Sequence, residues 1–285
     1  MDFIKAIILG IIEGFTEFLP ISSTGHLILA GNFFNLSNKE FQNAFNVIIQ
    51  LGAILAIVVI YFNSLNPLGK NKLERKLKRP LEGLTLKEKL ALADKKTLRL
   101  WTKIIIGFLP AAVLGFLFDD LIDKYLFNNI TVAISLIFYG IVIILIEKKD
   151  KSGKYTSIDR LPIKTVILIG LFQCLAMIPG TSRSAATIIG GVLLGADRIT
   201  AAEFSFYLAI PTMLGATFLK IIKIGVSLSL SQWIIILVGF IVSFLVALIV
   251  VKKFLAYIKK HDFKVFGIYR IILGILVIAL EIFTK

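Results

Sequence analysis

The chain has 285 residues, of which 57% are hydrophobic and only 18% are charged. Soluble domains carry about 25% charged residues, so this composition leaves too little polar surface for one or two soluble globules. The formal net charge is nevertheless +14. Such an excess of positive charge marks nucleic-acid binding, attachment to a membrane surface, or the orientation of membrane-spanning segments.

The positions of the basic residues decide among these three classes. Of the 32 Lys and Arg residues, twelve lie in 63–103, six in 147–164 and five in 252–264, and long apolar runs flank each stretch. This is the distribution by which cytoplasmic loops orient a polytopic membrane protein. A nucleic-acid-binding protein would carry such charge on a folded polar domain. We therefore expect a membrane environment and no nucleic-acid partner.

Six apolar runs, in chain order, approach the roughly 20 residues that a helix needs to cross a bilayer. These runs are 44–62, 101–118, 130–146, 204–219, 233–251 and 265–283. The sequence thus predicts an all-α, polytopic membrane protein with six transmembrane helices. The shorter run 101–118 spans the bilayer if the flanking Lys103 extends its ammonium to the membrane surface.

Two further apolar regions, 3–36 and 165–194, are each interrupted by a polar segment that begins with proline, at Pro20 and Pro179. At about 1.5 Å per residue, the second half of each region is too short to cross roughly 30 Å of hydrocarbon. Both regions are predicted to be re-entrant helical hairpins with their tips at membrane depth. Irregular backbone is tolerated there only where it is buried in protein or lines a watery cavity.

The charge distribution also predicts an internal repeat. If the three basic stretches are cytoplasmic, the first hairpin opens from the outside and the second from the inside. Each half of the chain, 1–150 and 151–285, contains one hairpin and three spans, and an odd number of spans inverts the second half. A shift of 160 residues aligns Ser22 with Ser182. We therefore predict an inverted-topology repeat within one integrated membrane domain.

The first hairpin carries two acids, Glu13 and Glu17, whose spacing of four places them on one helix face. Ionised carboxylates in an apolar setting are costly unless they meet a cation or share a proton. The pair therefore indicates a divalent-cation site or acid–base chemistry. The alternative is a pair of acids at a water-exposed hairpin mouth.

Hydroxyl groups follow at the tip of this hairpin, where a second short helix is predicted to begin. Hydroxyls and unpaired backbone N–H groups at a helix N-terminus favour an anion, although Ser or Thr there can simply cap the helix. His26 follows directly and is a candidate acid–base group. The tip residues are Ser22, Ser23, Thr24 and Gly25.

The second hairpin supplies a cation at its tip, Arg183. An arginine in the apolar part of a membrane costs about 2.5–3.5 kcal/mol on insertion scales unless it has a partner. Its planar fork suits bidentate recognition of phosphate, while a purely structural salt bridge to Glu17 is the alternative. Arg183 is flanked by Gly180, Thr181, Ser182 and Ser184. If the two tips meet, these groups converge on an anion that arrives from the lipid phase.

The motif 13–26, EGFTEFLPISSTGH, together with 179–184, PGTSRS, closely resembles the undecaprenyl-diphosphate phosphatase family, also called bacitracin-resistance proteins. The resemblance continues through 47–56 and 202–206 and so covers nearly the whole chain. One departure is Thr181, where an aromatic residue is frequent in the family. Because Thr181 is not a proposed catalyst, the departure puts little in doubt.

The resemblance implies hydrolysis of the prenyl lipid undecaprenyl diphosphate to its monophosphate and inorganic phosphate. This activity recycles the lipid carrier for peptidoglycan synthesis and confers bacitracin resistance. The resemblance further implies a bacterial inner-membrane location, an active site open to the extracytoplasmic side, and dependence on Mg²⁺ or Ca²⁺. The oligomeric state is open, with a homodimer as one expectation.

The resemblance also implies roles for individual residues. Glu13 and Glu17 match the acidic motif and are expected to bind the cation, Ser23 and His26 match a catalytic pair, and Arg183 matches the phosphate-binding arginine. The other tip residues are expected to line the substrate site: Ser22, Thr24, Gly25, Gly180, Thr181, Ser182 and Ser184.

Several assignments stay open at this point. Either Ser23 or a water molecule attacks phosphorus, and either Glu17 or His26 takes the proton. The rival function is a secondary transporter or lipid flippase, because inverted repeats with broken helices at mid-membrane are typical of transporters. An anion-binding site does not require carboxylates and hydroxyls beside its arginine, whereas acid–base and nucleophilic catalysis does. The combination therefore favours the enzyme.

Overall fold

The computed structural model describes residues 1–31, 34, 36, 39–78, 84–126, 128–147, 153–224 and 228–283. These residues form helices and contain no strand beyond one isolated bridge between Tyr155 and Ala196. The α-helices are α1 (Asp2–Thr16), α2 (Ser23–Gly31), α3 (Lys39–Ile60), α4 (Phe62–Leu65), α5 (Lys70–Leu77), α6 (Leu86–Ala91), α7 (Lys95–Leu126), α8 (Asn129–Ile146), α9 (Ile163–Cys174), α10 (Arg183–Leu193), α11 (Arg198–Ile224), α12 (Leu230–Ile258) and α13 (Lys264–Phe283).

Within the described ranges, six helices are long and apolar enough to cross a membrane: α3, α7, α8, α11, α12 and α13. Each overlaps one of the six predicted runs, so the all-α, six-span class is confirmed. Two of them, α7 and α11, extend well beyond the predicted runs 101–118 and 204–219. Their backbone hydrogen bonds continue past the apolar run into polar sequence, which hydropathy alone does not register.

The two predicted hairpins contain the short helices. Helices α1 and α2 have 15 and 9 residues, and α9 and α10 have 12 and 11. At about 1.5 Å per residue none of the four reaches the roughly 30 Å of a hydrocarbon core. The helices are interrupted at the predicted polar segments, between Thr16 and Ser23 and between Cys174 and Arg183. The re-entrant course of the hairpins stays a prediction.

Each hairpin packs its first helix on a long helix from the other half of the chain, α1 on α12 and α9 on α7. Glycines allow both close approaches. A Cβ at Gly14 would lie 2.4 Å from the carbonyl oxygen of Ser243, and one at Gly170 would lie 2.3 Å from that of Gly107. Larger residues would therefore force these helices apart.

Helices α8 and α13 also pack closely. A Cβ at Gly140 would lie 2.7 Å from the carbonyl oxygen of Gly267, and one at Gly267 would lie 2.8 Å from that of Gly140. Helix α13 is thereby held along α8, with Arg270 buried and in contact with both hairpin tips.

Lys103, in α7, differs from the expectation that its ammonium reaches the membrane surface. Its side chain is buried and donates to the carbonyl oxygens of Ile158 and Asp159, at 2.8 Å each. The ammonium thereby joins the polar stretch 147–164 to α7. Both carbonyl groups belong to a short 3₁₀ turn, Ile158–Arg160, and their hydrogen bonds hold the lysine inward.

Candidate active site

The tips of the two hairpins meet in the protein interior. Nη2 of Arg183 lies 2.9 Å from Oε1 of Glu17, and Oγ of Ser184 donates to the carbonyl oxygen of Leu19, also at 2.9 Å. All four residues are buried. The predicted convergence of carboxylate, hydroxyl and guanidinium groups is therefore present in the structure.

The second helix of each hairpin begins with the same local geometry. Ser22 precedes α2 and Ser182 precedes α10, and both serines have φ of 72°. Their hydroxyl oxygens accept hydrogen bonds from the backbone N–H groups of Gly25 and Ala185, at 3.3 and 3.2 Å. These two serines are thus helix caps. The next residues, Ser23 and Arg183, are left to engage Glu17.

Glu17 is the centre of the site. Its Oε2 accepts a hydrogen bond of 2.7 Å from Oγ of Ser23, while its Oε1 accepts the bond from Arg183. A carboxylate in hydrogen-bond contact with a serine hydroxyl is placed to take that proton as the oxygen attacks an electrophile. His26 does not occupy this position.

Arg183 is held by further contacts on α11. Its Nη1 donates to the carbonyl oxygen of Ser205 at 2.9 Å and to the Ser205 hydroxyl at 3.1 Å, and Oγ1 of Thr187 lies 2.7 Å from the same hydroxyl. The Phe18 ring covers the guanidinium at 5.8 Å. Its buried Nε donates to none of the described residues. That donor is available to a ligand.

Glu13 lies in the same site, with Glu17 and Arg183 as its charged neighbours. Its side chain has 0% exposure, and neither carboxylate oxygen has a donor among the described residues, although the carboxyl group lies close enough to that of Glu17 to share a proton. A buried polar group without a partner costs about 1–3 kcal/mol, and more when it is charged. Glu13 therefore requires a proton or a cation.

The site offers two carboxylates to the divalent cation that the resemblance implies, Glu13 and Glu17. No group of three His, Cys, Asp or Glu residues that could hold a metal ion exists among the described residues. Both oxygens of Glu17 already accept hydrogen bonds, whereas both oxygens of Glu13 do not. Mg²⁺ is commonly bound by one or two carboxylates together with substrate phosphates. The residues fit a cation of that kind.

His26 lies beside the first tip but does not contact Ser23. Its Nδ1 lies 2.7 Å from the carbonyl oxygen of Ser22, so this nitrogen carries the proton. Its Nε2 therefore accepts the hydrogen bond of 2.6 Å from the Tyr269 hydroxyl, and the two rings are stacked. The Ser23–His26 pair that the resemblance implies is not joined in this arrangement.

The remaining tip residues have distinct positions. Gly180 has φ of 87°, and a Cβ there would lie 2.5 Å from the carbonyl oxygen of Val132, so glycine is required where this tip touches α8. Gly25 is buried against Leu136, Thr181 is fully buried, and Thr24 is half-buried.

Four residues of this region were not predicted from the sequence: Thr187, Ser205, Tyr269 and Arg270. Arg270 could have been found, because an arginine inside the apolar run 265–283 marks a functional position by default. Ser205 lies within 202–206, which contributed only to the resemblance. A serine or tyrosine in a span carries no comparable signal.

Comparison with known proteins assigns the family. The family model described as bacitracin resistance protein BacA matches residues 6–276. The chain is 51% identical over 280 residues to undecaprenyl-diphosphatase 1 of Clostridioides difficile (strain 630), with 98% of this chain and 96% of the relative covered. Identity to the undecaprenyl-diphosphatase of Enterococcus faecalis (strain ATCC 700802 / V583) is 49% over 286 residues, with 98% of each chain covered. The chain therefore belongs to the bacitracin resistance protein BacA family.

Proposed function

We propose that this chain is an integral-membrane phosphatase that hydrolyses undecaprenyl diphosphate to undecaprenyl phosphate and inorganic phosphate. The activity recycles the lipid carrier for peptidoglycan synthesis and confers bacitracin resistance. Membership of the family and the names of the relatives support the activity. The geometric observation that carries the mechanism is the position of Glu17, bonded to Ser23 on one side and to Arg183 on the other.

Substrate binding uses the groups at the junction of the two tips. The terminal phosphate lies against Arg183, whose Nε is without a partner among the described residues. The N-termini of α2 and α10 face the same junction, so their end dipoles favour the anion. Around the phosphate lie the hydroxyl and glycine residues of the tips: Ser22, Thr24, Gly25, Gly180, Thr181, Ser182 and Ser184.

The chemical step begins at Ser23. Its oxygen attacks the terminal phosphorus while its proton passes to Glu17, the bond between phosphorus and the bridging oxygen breaks, and undecaprenyl phosphate leaves. Water then hydrolyses the phosphoserine and releases inorganic phosphate. Arg183 stabilises the negative charge that develops on the transferred group. Direct attack by a water molecule, with Glu17 as the same base, is the alternative.

Glu13, together with Glu17, would hold Mg²⁺ or Ca²⁺. Such a cation neutralises negative charge on the diphosphate when it is bound. The two unpaired oxygens of Glu13 support this assignment. His26 keeps only the smaller role of a proton donor to the leaving group. Both of its ring nitrogens already have partners, so donation would require a protonated ring whose Nε2 turns from Tyr269 to the leaving oxygen.

The proposed setting is the inner membrane of a bacterium, with the site open to the extracytoplasmic side and the chain built from two inverted repeats, 1–150 and 151–285. The equivalent caps at Ser22 and Ser182 support the repeat. So does the reciprocal packing of α1 on α12 and α9 on α7. A homodimer remains a separate proposal, which the mass of the protein in detergent tests.

Phosphate release in detergent tests the function. Purified protein with undecaprenyl diphosphate and Mg²⁺ should release inorganic phosphate, and because detergent solution has no two sides, transport cannot contribute. Arg183→Ala should lower kcat/KM by at least about 100-fold. The matched control is Arg198→Ala, which removes an arginine outside the site. Nη2 of Arg198 lies 2.5 Å from Oε2 of Glu147, so this arginine also forms an ion pair between helical segments. It should retain activity.

Two results would contradict the proposal in different ways. A wild-type protein that binds undecaprenyl diphosphate and releases no phosphate would favour the transporter or flippase. A fully active Arg183→Ala enzyme would leave the phosphatase in place and overturn the phosphate site described above.

A further inference from the structure

Arg270, in α13, is a buried cation that the mechanism above does not use. Its side chain has 0% exposure. Nη2 donates to the carbonyl oxygen of Gly180 at 2.8 Å, and Nη1 donates to that of Pro20 at 3.2 Å. Two longer bonds of 3.4 Å reach the carbonyl oxygens of Ser135 and Leu136 on α8. No carboxylate forms an ion pair with Arg270 among the residues that the structure describes.

The two tip carbonyl groups occupy equivalent places in the two hairpins. Pro20 lies three residues before Ser23, and Gly180 lies three residues before Arg183. The same shift of 160 residues that aligns Ser22 with Ser182 aligns these two positions. Arg270 therefore connects the first tip to the second beside the two residues that meet at Glu17.

We propose that Arg270 is a positioning residue, whose guanidinium holds the two hairpin tips together so that Ser23, Glu17 and Arg183 keep their reactive geometry. The inference rests on the proposed active site. A guanidinium has five N–H donors in one rigid plane and can reach carbonyl groups on two loops at once. A lysine ammonium cannot reproduce that fork.

The reaction itself explains why such a connection is needed. Apart from Arg270, the described polar contacts between the tips are the Arg183–Glu17 ion pair and the bond from Ser184 to Leu19. The ion pair must loosen when Arg183 turns to the phosphate and Glu17 accepts a proton. Arg270 contacts only backbone carbonyl groups of the tips, so its bonds persist through that change.

Arg270 lies on a helix that packs closely against α8. The residue lies on α13 between Gly267 and Gly274, and both glycines bring α13 against the backbone of α8. A Cβ at Gly274 would lie 2.9 Å from the carbonyl oxygen of Ala133. The guanidinium is thus attached to a helix pair outside the hairpins, α8 and α13. Its hydrogen bonds can therefore hold both tips at fixed positions relative to these helices.

The test compares Arg270→Lys and Arg270→Gln with the wild type for kcat, KM and thermal unfolding in detergent. Lysine keeps the charge without the fork, and glutamine keeps two N–H donors without the charge. We expect both variants to lower kcat by at least about 30-fold, because misplacement by about 1 Å can cost about 100-fold. KM should stay within about threefold, because Arg183 still binds phosphate.

The matched control is Lys103→Met, which removes a different buried cation that also donates to two loop carbonyl groups. It should lower the unfolding temperature and leave kcat unchanged. If an Arg270 variant likewise unfolds earlier but keeps the wild-type kcat, Arg270 is merely structural and the proposal is overturned. A wild-type kcat in Arg270→Lys alone overturns it too, since charge would then suffice.

Arg183→Ala is measured in parallel with the Arg270 variants. This measurement separates an error in the role of Arg270 from an error in the proposed active site. If Arg183→Ala is inactive while Arg270→Lys has the wild-type kcat, only the positioning role falls. If Arg183→Ala is fully active, the proposed site falls and the role of Arg270 falls with it. Should Arg270→Gln not yield folded protein, the milder Arg270→Lys decides.

Discussion

At the scale of single residues, the two oxygens of Glu17 have different partners. Oε2 is bonded to the hydroxyl of Ser23 and Oε1 to the guanidinium of Arg183. In the proposed mechanism, one carboxylate therefore aligns the attacking oxygen with the group that binds the phosphate. His26, in contrast, is turned toward Tyr269. This arrangement favours Glu17 over His26 as the proposed base.

The first prediction separates these two candidate bases. Glu17→Gln keeps the size of the side chain and removes its capacity to take a proton, so we expect kcat to fall by about 100- to 10,000-fold. His26→Asn, whose amide can still donate to the Ser22 carbonyl group, should lose at most about tenfold. Steady-state phosphate release measures both. A greater loss of kcat in His26→Asn than in Glu17→Gln would show that His26, and not Glu17, is the base.

The second prediction concerns the unpaired oxygens of Glu13. Glu13→Gln should raise the Mg²⁺ concentration for half-maximal activity by at least about tenfold, because a carboxylate ligand is replaced by a neutral amide. The measurement is a Mg²⁺ titration after treatment with a chelator. Glu203→Gln is the matched control. Glu203, in α11, is a partly buried glutamate that accepts a hydrogen bond of 3.2 Å from the Tyr61 hydroxyl. An unchanged titration in Glu13→Gln would remove Glu13 from the cation site.

At the scale of helices, the interruptions were predictable and the long-range partners were not. Pro20 and Pro179, each followed by serines and a glycine or threonine, interrupt two apolar runs, and the helices are broken at those segments. The two tip partners of Arg270, Pro20 and Gly180, are 250 and 90 residues distant along the chain. Hydrogen bonds to backbone carbonyl groups leave no pattern in the sequence, because every residue has a carbonyl group.

His26 illustrates the same limit for side chains. Its position after Gly25 marked it as a candidate acid–base group, and it does lie at the tip. Tyr269, however, sits on an apolar span where an aromatic residue is expected for packing alone. Only the approach of α13 to the first hairpin shows that this tyrosine occupies the second ring nitrogen.

The third prediction concerns the helix contact that positions the second hairpin. Gly170→Ala should destabilise the protein by about 1–3 kcal/mol, because its Cβ would press on the backbone of α7 at Gly107. Gly215→Ala is the control, since its Cβ would lie 3.6 Å from the Phe108 ring, an ordinary contact. Thermal unfolding in detergent measures both variants. Equal stability of the two would show that α9 does not depend on this close approach.

At the scale of the whole molecule, the net charge of +14 and the active site are separate features. Most basic residues lie in three polar stretches, whereas Arg183 lies at a hairpin tip in the apolar interior and Arg270 contacts both tips. The outer surface is apolar, with exposed side chains such as Phe116, Phe138 and Leu237. We therefore expect the charge to orient the chain, whereas the proposed chemistry depends on the two interior arginines.

The fourth prediction tests that orientation. In a Cys174→Ser background, Lys260→Cys places a thiol in a basic stretch predicted to be cytoplasmic, and Leu230→Cys places one at the opposite end of α12. Both positions are exposed. A maleimide that cannot cross membranes, applied to intact cells, should label Leu230→Cys and not Lys260→Cys, because basic loops are retained in the cytoplasm.

Permeabilised cells provide the control, since both thiols should then react. Labelling of Lys260→Cys in intact cells would reverse the orientation of α12 and, with it, that of α1, which packs against α12 along its length. The first hairpin would then open toward the cytoplasm. In that case the diphosphate would have to reach Ser23 and Arg183 from the cytoplasmic leaflet, and the proposed extracytoplasmic active site would be wrong even if every catalytic residue were correctly assigned.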